Sequence, residues 1–190
     1  RVTGGEPLIR RGVHELFEGL GALSDLDTLA LTTNGSHLAD SAHALRDAGV
    51  KAINISLDSL QAGRFKTITR IGDLDTVLQG IDRAVECGFD RIRLNAVILD
   101  GLNRDEVVPL THYALEKGIH IAFIEEMPLG QVNVGGKPLA YVSSDMLQRE
   151  LAEHFSLVPM TASDTAGPAR DFLIAGSQTQ VGFISPHSHN

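Results

Sequence analysis

Small polar groups that could bind a ligand recur at the ends of several β-rich segments in this 190-residue chain. The chain opens with RVTGGEP, a glycine turn whose backbone amides could face a ligand because glycine permits a close approach. Hydroxyls, amides and an arginine follow at later segments, in LTTNG, INISLDS and RLNAV. Such groups orient a small molecule through hydrogen bonds, and the planar fork of arginine suits phosphate. The pattern indicates a small-molecule site, and neither a Walker loop nor a GxGxxG motif accompanies it.

Strands and helices alternate along the chain and place these polar groups. Three helical patterns end at Gly49, Gly88 and Gly118, which suit the left-handed conformation just past a helix end. The predicted strands cover about 27–33, 51–58, 91–98 and 119–125, with the opening RVTGG as a fifth. The predicted helices lie near 9–22, 38–48, 61–70, 73–87 and 104–117. This alternation predicts βαβ units and an α/β fold with a parallel sheet.

The faces of these strands indicate a curved sheet. Side chains alternate across a strand, so Asn54, Ser56 and Asp58 share one face of theirs. Arg93 and Asn95 likewise share a face. Several strands cannot each leave a face of unsatisfied polar groups. We therefore expect helices outside and a polar, ligand-filled concave side, as in a (β/α) barrel. The alternative is a polar face exposed to water.

The periodicity changes after Pro128, which divides the chain into two predicted regions. Residues 1–129 form the predicted barrel core, and residues 130–190 form a C-terminal antiparallel extension. In the extension, LGQVNVGGKPLA is a predicted loop, and Ser143 or Ser144 caps a predicted helix over about 144–154. The runs FSLVPM, ARDFLIAG and TQVGFISP are predicted short strands.

Composition excludes several classes of function. The net charge of −8, from 16 basic and 24 acidic residues, disfavours general nucleic-acid binding. No apolar run reaches membrane-spanning length. A single cysteine, Cys87, excludes an internal disulfide framework and is compatible with a reducing compartment, so we expect a cytoplasmic location.

The glycine turn resembles the glycine motif of radical S-adenosylmethionine (SAM) enzymes. Six ordered motifs, RVTGGEPLIRR, LTTNGSHL, INISLDSL, RLNAVILDGLN, FIEEMPLG and GFISPHSHN, resemble the GTP 3′,8-cyclase family, also called molybdenum cofactor biosynthesis protein A. The resemblance covers essentially the whole chain. It implies an incomplete (β/α) barrel of the radical SAM type with a C-terminal antiparallel β extension. It also implies conversion of GTP to 3′,8-cyclo-7,8-dihydro-GTP by a 5′-deoxyadenosyl radical, the first step of molybdenum cofactor biosynthesis.

The resemblance implies cofactors and partners as well. SAM and two [4Fe–4S] clusters are expected, with cluster cysteines in a CxxxCxxC segment upstream and a second set downstream of these 190 residues. No catalytic residue and no metal ligand is then expected in the chain, and Cys87 matches no cluster ligand. The 190 residues alone are expected to be inactive. The implied partners are GTP, an electron donor for the cluster and the next pathway enzyme, cyclic pyranopterin monophosphate synthase; a homodimer stays open.

Three residues match SAM-contacting positions of the family. Gly5 lies in the turn, where we expect a close backbone approach and a positive φ. Ser56 ends its strand and offers a hydroxyl that both donates and accepts. Met127 matches a position beside the adenine, where a flexible thioether packs on a flat ring.

Three other residues match GTP contacts of the family, namely Arg1, Thr32 and Arg93. The family often has lysine where this chain has Arg93, and a carboxylate such as Glu125 is an alternative structural partner for that arginine. Some relatives carry arginine where this chain has Ala122, so one phosphate contact is in question.

Two other functions stay open on the residues alone. One is a different radical SAM enzyme, for example one that modifies a peptide or haem. The other is a cluster-free (β/α) protein that only binds a nucleotide or phosphosugar, which iron analysis of the full-length protein would distinguish.

Overall fold

The computed structural model describes residues 1–126, 142–161 and 169–185, together with the backbone of 133–134 and 137–138. The chain divides into two compact units. The first comprises Arg1–Leu57 and Gln61–Leu94, and the second comprises Asp58–Leu60 and Asn95–Asn190. Among the described residues, no helix has the length and hydropathy needed to cross a membrane. The predicted boundary at 129/130 lies outside the described residues and stays a prediction.

Parallel strands and helices build the first unit. Strand β1 (Leu29–Thr33) pairs in parallel with β2 (Val50–Ser56). The helices are α1 (Val13–Gly21), α2 (Leu38–Asp47), α3 (Ala62–Thr69) and α4 (Leu74–Glu86), and a 3-10 turn covers Pro7–Ile9. Strand β3 (Arg91–Ile98) begins in this unit and ends in the second.

Helix α4 shows how the sequence fixes these elements. The Asp73 side chain caps its N-terminus by accepting a hydrogen bond from Thr76 N at 2.8 Å. Its apolar stripe is buried against α2, and the contact is close because Gly80 has no side chain. A Cβ at Gly80 would lie 2.9 Å from the Gly35 carbonyl oxygen. The helix ends before Gly88, whose φ of 67° is left-handed as predicted.

The core of the first unit lies against one face of the strands. The side chains of Leu31, Ile53, Ile55 and Leu57 are fully buried. Among the polar residues of β2, Asn54 is also buried, whereas Ser56 at the strand end is exposed. The accessible polar positions of β2 are therefore Lys51 near its start and Ser56 at its end.

The described strands of the second unit form one parallel and three antiparallel pairings. Strand β4 (His120–Glu125) pairs in parallel with β9 (Gln180–Ile184), which pairs antiparallel with β8 (Ala169–Ile174). Strand β7 (Leu157–Pro159) adds antiparallel to β8, and β5 (Asn133–Val134) pairs antiparallel with β6 (Lys137–Pro138). Its helices are α5 (Val107–Glu116) and α6 (Ser144–Ala152), preceded by a 3-10 turn at Arg104–Glu106. The pairing of β7, β8 and β9 confirms the predicted antiparallel extension.

Local chemistry explains where helices begin. Ser143 is the cap of α6, since its Oγ accepts from Met146 N at 3.3 Å, and this selects between the two predicted caps. The predicted helix over 9–22 was too long at its start, because Gly12 adopts a left-handed φ of 76° just before α1. Helix α5 tolerates Pro109 in its first turn, where backbone N–H groups lack an intrahelical acceptor anyway.

The prediction of a strand over RVTGG was wrong in extent. The structure has a single parallel bridge between Val2 and Leu31. Val2 N donates to Ala30 O at 2.7 Å, and Thr32 N donates to Val2 O at 3.0 Å. The glycines that follow Val2 bend the chain away before a regular ladder can form.

Candidate functional site

The glycine turn at the start of the chain is fastened to the end of β1 by the Glu6 carboxylate. Oε1 of Glu6 accepts from Leu8 N at 3.0 Å and from Thr33 Oγ1 at 2.8 Å. Oε2 accepts from Asn34 N at 2.6 Å. Thr33 Oγ1 in turn accepts from Gly35 N at 3.1 Å, so the residues after β1 form a hydrogen-bonded turn. No role for Glu6 was predicted from the sequence motifs, although its position inside TGGEP was the available signal.

The surface of this turn is open at Gly5. Gly4 and Gly5 are both exposed, and a Cβ added to Gly5 would meet no described atom within 4 Å. The positive φ expected at Gly5 belongs instead to Gly4, whose φ is 146°. Gly5 therefore leaves space beside an exposed backbone, while Gly4 supplies the unusual backbone conformation.

The structure brings Arg1 and Thr32 onto neighbouring segments. Arg1 is exposed and directly precedes Val2, whose carbonyl accepts from Thr32 N at 3.0 Å. Thr32 is half-buried and lies opposite Asn54 in the β1–β2 register. Ser56, two residues after Asn54, is exposed at the end of β2. Four of the predicted residues, counting Gly5, therefore lie in the part of the first unit formed by the opening turn, β1 and β2.

Arg93 lies in β3 and is only 8% exposed. A buried guanidinium is costly unless an anion or hydrogen-bond acceptors compensate for it, which suits a role at a phosphate. Glu125, the alternative partner considered from the sequence, is itself buried at the end of β4. Its carboxylate accepts hydrogen bonds from Ser144 N and, at 3.0 Å, from Ser185 Oγ.

Two further predicted positions give less information. Met127 lies outside the described residues, so its predicted contact with the adenine stays a prediction. Ala122 is fully buried in β4.

A buried polar network in the second unit was not predicted from the sequence. Asp58 Oδ1 accepts from Val97 N at 2.8 Å, and Asn103 Nδ2 donates to Asp58 O at 2.8 Å. Burial raises the pKa of the Asp58 carboxyl, and the hydrogen bond from Val97 N opposes that shift. The network joins Asp58 to residues 39 and 45 positions further along the chain, and no local sequence pattern predicts it.

The open turn fits a bound SAM molecule. A cofactor that approaches Gly5 would meet exposed backbone groups, and the exposed Ser56 hydroxyl offers a donor and an acceptor. Both are backbone or neutral groups, suitable for a molecule that carries an ammonium and a carboxylate.

The same residues do not fit an iron–sulfur cluster. The chain has one cysteine, and within the described residues no group of three or more His, Cys, Asp or Glu side chains could hold a metal ion. Cys87 Sγ instead lies 3.5 Å from His43 Nδ1. Burial raises the pKa of the Cys87 thiol, more than the nearby Arg83 lowers it, so the thiolate that a metal requires is disfavoured.

The chain is similar to a known protein family. A family model described as the radical SAM superfamily matches residues 1–114. The chain is 52% identical over 190 residues to the GTP 3′,8-cyclase of Ectopseudomonas mendocina, 50% identical to that of Saccharophagus degradans and 47% identical to that of Marinobacter nauticus. Each match covers 100% of this chain and 57% of the relative. The chain thus spans 57% of the length of these curated relatives.

Solved structures show the same fold at low sequence identity. Streptococcus suis SuiB matches with a TM-score of 0.61 and 15% identity, over 98% of this chain and 38% of that chain. TYW1 with a lysine–pyruvate adduct matches with a TM-score of 0.57 and 16% identity, over 87% of this chain and 53% of that chain. At such identities the likeness concerns the fold alone. With the family match, it confirms the predicted incomplete (β/α) barrel of the radical SAM type.

Proposed function

This chain belongs to the radical SAM superfamily, and from that premise we propose that the protein is a GTP 3′,8-cyclase. It would convert GTP to 3′,8-cyclo-7,8-dihydro-GTP in the first step of molybdenum cofactor biosynthesis. The observation that carries the proposal is 52% identity over all 190 residues to a protein named for that activity. The identity extends through both units rather than through the family's common motifs alone.

The proposed SAM contacts are Gly5, Ser56 and Met127. The exposed backbone at Gly5 would receive the methionine part of SAM, and the Ser56 hydroxyl would hydrogen-bond to it. Support comes from the open space at Gly5 and from the exposure of Ser56 at the end of β2. Met127 would pack on the adenine.

The proposed GTP contacts are Arg1, Thr32 and Arg93. The two arginines would hold phosphate oxygens through charge-assisted hydrogen bonds, which are stronger than neutral ones. Support comes from the position of Arg1 beside the residue that pairs with β1, and from the burial of Arg93. Thr32 would orient the nucleotide through its hydroxyl.

The superfamily's cofactors, SAM and a [4Fe–4S] cluster, supply one-electron chemistry that removes a hydrogen atom from an unactivated carbon. We propose two such clusters, held by cysteines outside these 190 residues, because the chain's own residues do not fit one. The chain's residues would bind and orient SAM and GTP and keep water from the reacting carbon. An electron donor and cyclic pyranopterin monophosphate synthase are the proposed partners. The proposed location is the cytoplasm, and a homodimer stays open.

The test is the reaction of the full-length protein, reconstituted with iron and sulfide without oxygen. It is incubated with SAM, a reductant and GTP deuterated at C3′, and the products are separated by mass spectrometry. We expect 3′,8-cyclo-7,8-dihydro-GTP and deuterium in 5′-deoxyadenosine. SAM cleavage without transfer of deuterium from GTP would instead identify a different radical SAM enzyme. A protein that binds GTP but retains no iron would be a cluster-free nucleotide-binding protein.

A further inference from the structure

The segment that contains the glycine turn is attached to β1 at both of its ends. At one end, the Val2 backbone pairs with β1 through hydrogen bonds of 2.7 and 3.0 Å. At the other end, the Glu6 carboxylate accepts from Thr33 Oγ1 and Asn34 N at 2.8 and 2.6 Å. Residues 3–5 therefore span between two fixed points on the same strand. Their two glycines lack side chains that would restrict them, so these attachments limit how far the turn can move.

The β1 end of this attachment is itself rigid. Thr33 is 2% exposed, and its Oγ1 also accepts from Gly35 N at 3.1 Å. Asn34 Oδ1 accepts from Ser36 N at 2.9 Å. A Cβ at Gly35 would lie 3.0 Å from Val77 Cγ1, so the turn after β1 is packed against α4 without free space. The Glu6 carboxylate, which is hydrogen-bonded to this turn, is therefore held in a fixed position.

The partners of Glu6 require a carboxylate. All three of them donate: Leu8 through its N–H, Thr33 through its hydroxyl and Asn34 through its N–H. A carboxylate presents two oxygens with about four acceptor sites, whereas a glutamine amide has one acceptor oxygen and one NH2 donor. In either orientation of a glutamine, its NH2 group would face at least one donor. The site is thus selective for glutamate over its nearest isostere.

From this geometry we infer that Glu6 is a positioning residue, which sets the Gly5 backbone for the cofactor without touching the cofactor itself. The inference rests on the proposed function in one respect, namely that Gly5 binds SAM. Losing the attachment would let the turn sample other conformations, and SAM binding would then have to order it again. In this role Glu6 neither touches the reacting atoms nor transfers a proton.

The experiment measures SAM affinity by calorimetry in the reconstituted full-length protein. Glu6→Gln should weaken SAM binding about tenfold. Thr33→Val removes the hydroxyl that donates to Glu6 Oε1 and should also weaken SAM binding. Thr33→Ser keeps a hydroxyl at that position and should bind SAM like the wild type. Glu18→Gln, on the exposed face of α1, is the matched control and should bind SAM like the wild type. Hydrogen exchange over residues 31–36 should be faster in Glu6→Gln, since Asn34 N–H loses its acceptor.

Two results for the Glu6 and Thr33 variants would overturn the inference. If Glu6→Gln lowers thermal stability but binds SAM with unchanged affinity, the attachment is structural only. If Glu6→Gln weakens binding while Thr33→Val does not, and the loss vanishes with a SAM analogue that lacks the α-amino group, Glu6 contacts SAM directly. A wild-type protein that binds SAM but makes no cyclic product would overturn the proposed function and leave this inference to be judged by SAM affinity. A wild-type protein that does not bind SAM would overturn both.

Discussion

At the scale of single residues, a substitution at Gly5 should affect SAM binding without affecting folding stability. Its φ is outside the left-handed region that Gly4 occupies, and a Cβ there meets no described atom within 4 Å. Gly5→Val should therefore change the free energy of unfolding by no more than about 0.5 kcal/mol, as is usual for exposed positions. The added side chain would occupy the space proposed for SAM, so SAM affinity should fall at least about tenfold. Calorimetry and thermal unfolding of the full-length protein measure the two effects.

The control for that substitution is Gly19→Val, at an exposed position of α1 that also has no described atom within 4 Å. It should leave SAM affinity unchanged. Gly5→Val with wild-type affinity would remove the turn from the cofactor site.

Arg93 tests the substrate side of the proposal. A hydrogen bond to a charged group contributes about 1.5–3 kcal/mol net, so Arg93→Ala should weaken GTP binding roughly tenfold to a hundredfold. Arg93→Lys should recover much of that loss, because a point charge still binds phosphate. GTP affinity is measured by calorimetry, with circular dichroism to confirm folding. Unchanged GTP affinity together with a sharp fall in thermal stability would make Arg93 a structural residue.

At the scale of elements, buried side chains fix the residues that follow β2. Asn103 is fully buried, and its Nδ2 donates to Asp58 O and Val97 O at 2.8 and 2.9 Å. The Glu106 carboxylate accepts from Ser59 Oγ and Leu60 N, both at 2.6 Å. The DGLN motif and the glutamate after it therefore anchor a loop by satisfying buried polar groups that would otherwise destabilise the fold.

Asp58 makes this network sensitive to pH. Its pKa is raised above the ordinary value of 3.8 mainly by burial, so the folded state binds its proton more tightly than the unfolded state does. The stability that this proton contributes is present below pH 3.8 and is lost as the pH rises through the raised pKa. Asp58→Asn keeps an oxygen that can accept from Val97 N and carries no charge at any pH. We expect it to be as stable as the wild type at low pH and more stable at neutral pH, measured by urea unfolding across pH.

The control is Asp25→Asn, which changes an exposed aspartate. Its stability relative to the wild type should not follow the same pH dependence. If Asp58→Asn were less stable than the wild type at neutral pH, the ionised Asp58 carboxylate would be stabilising and the expected pH dependence would be wrong.

At the scale of the whole molecule, local signals predicted most elements, and long-range contacts account for what was missed. Gly49, Gly88 and Gly118 all adopt the left-handed φ expected after a helix, because that conformation depends on the residue itself. The hydrogen bond from Thr33 to Glu6 joins residues 27 positions apart, and no periodicity encodes it. The extent of pairing at RVTGG also depends on a distant segment. Its residue types did not predict that only Val2 would pair with β1, through a single bridge to Leu31.

The source of the cluster ligands is a further question for the whole molecule, and Cys87 tests it. Cys87 lies at the C-terminal end of α4, 3.5 Å from the exposed His43, and its raised thiol pKa disfavours metal binding. Because the chain has no other cysteine, we propose that the clusters are held by residues beyond these 190. Cys87→Ala in the reconstituted full-length protein should therefore retain the wild-type iron content and visible absorption, as well as SAM affinity. Iron analysis is the measurement, and a loss of one cluster's iron in this variant would place a ligand inside the chain after all.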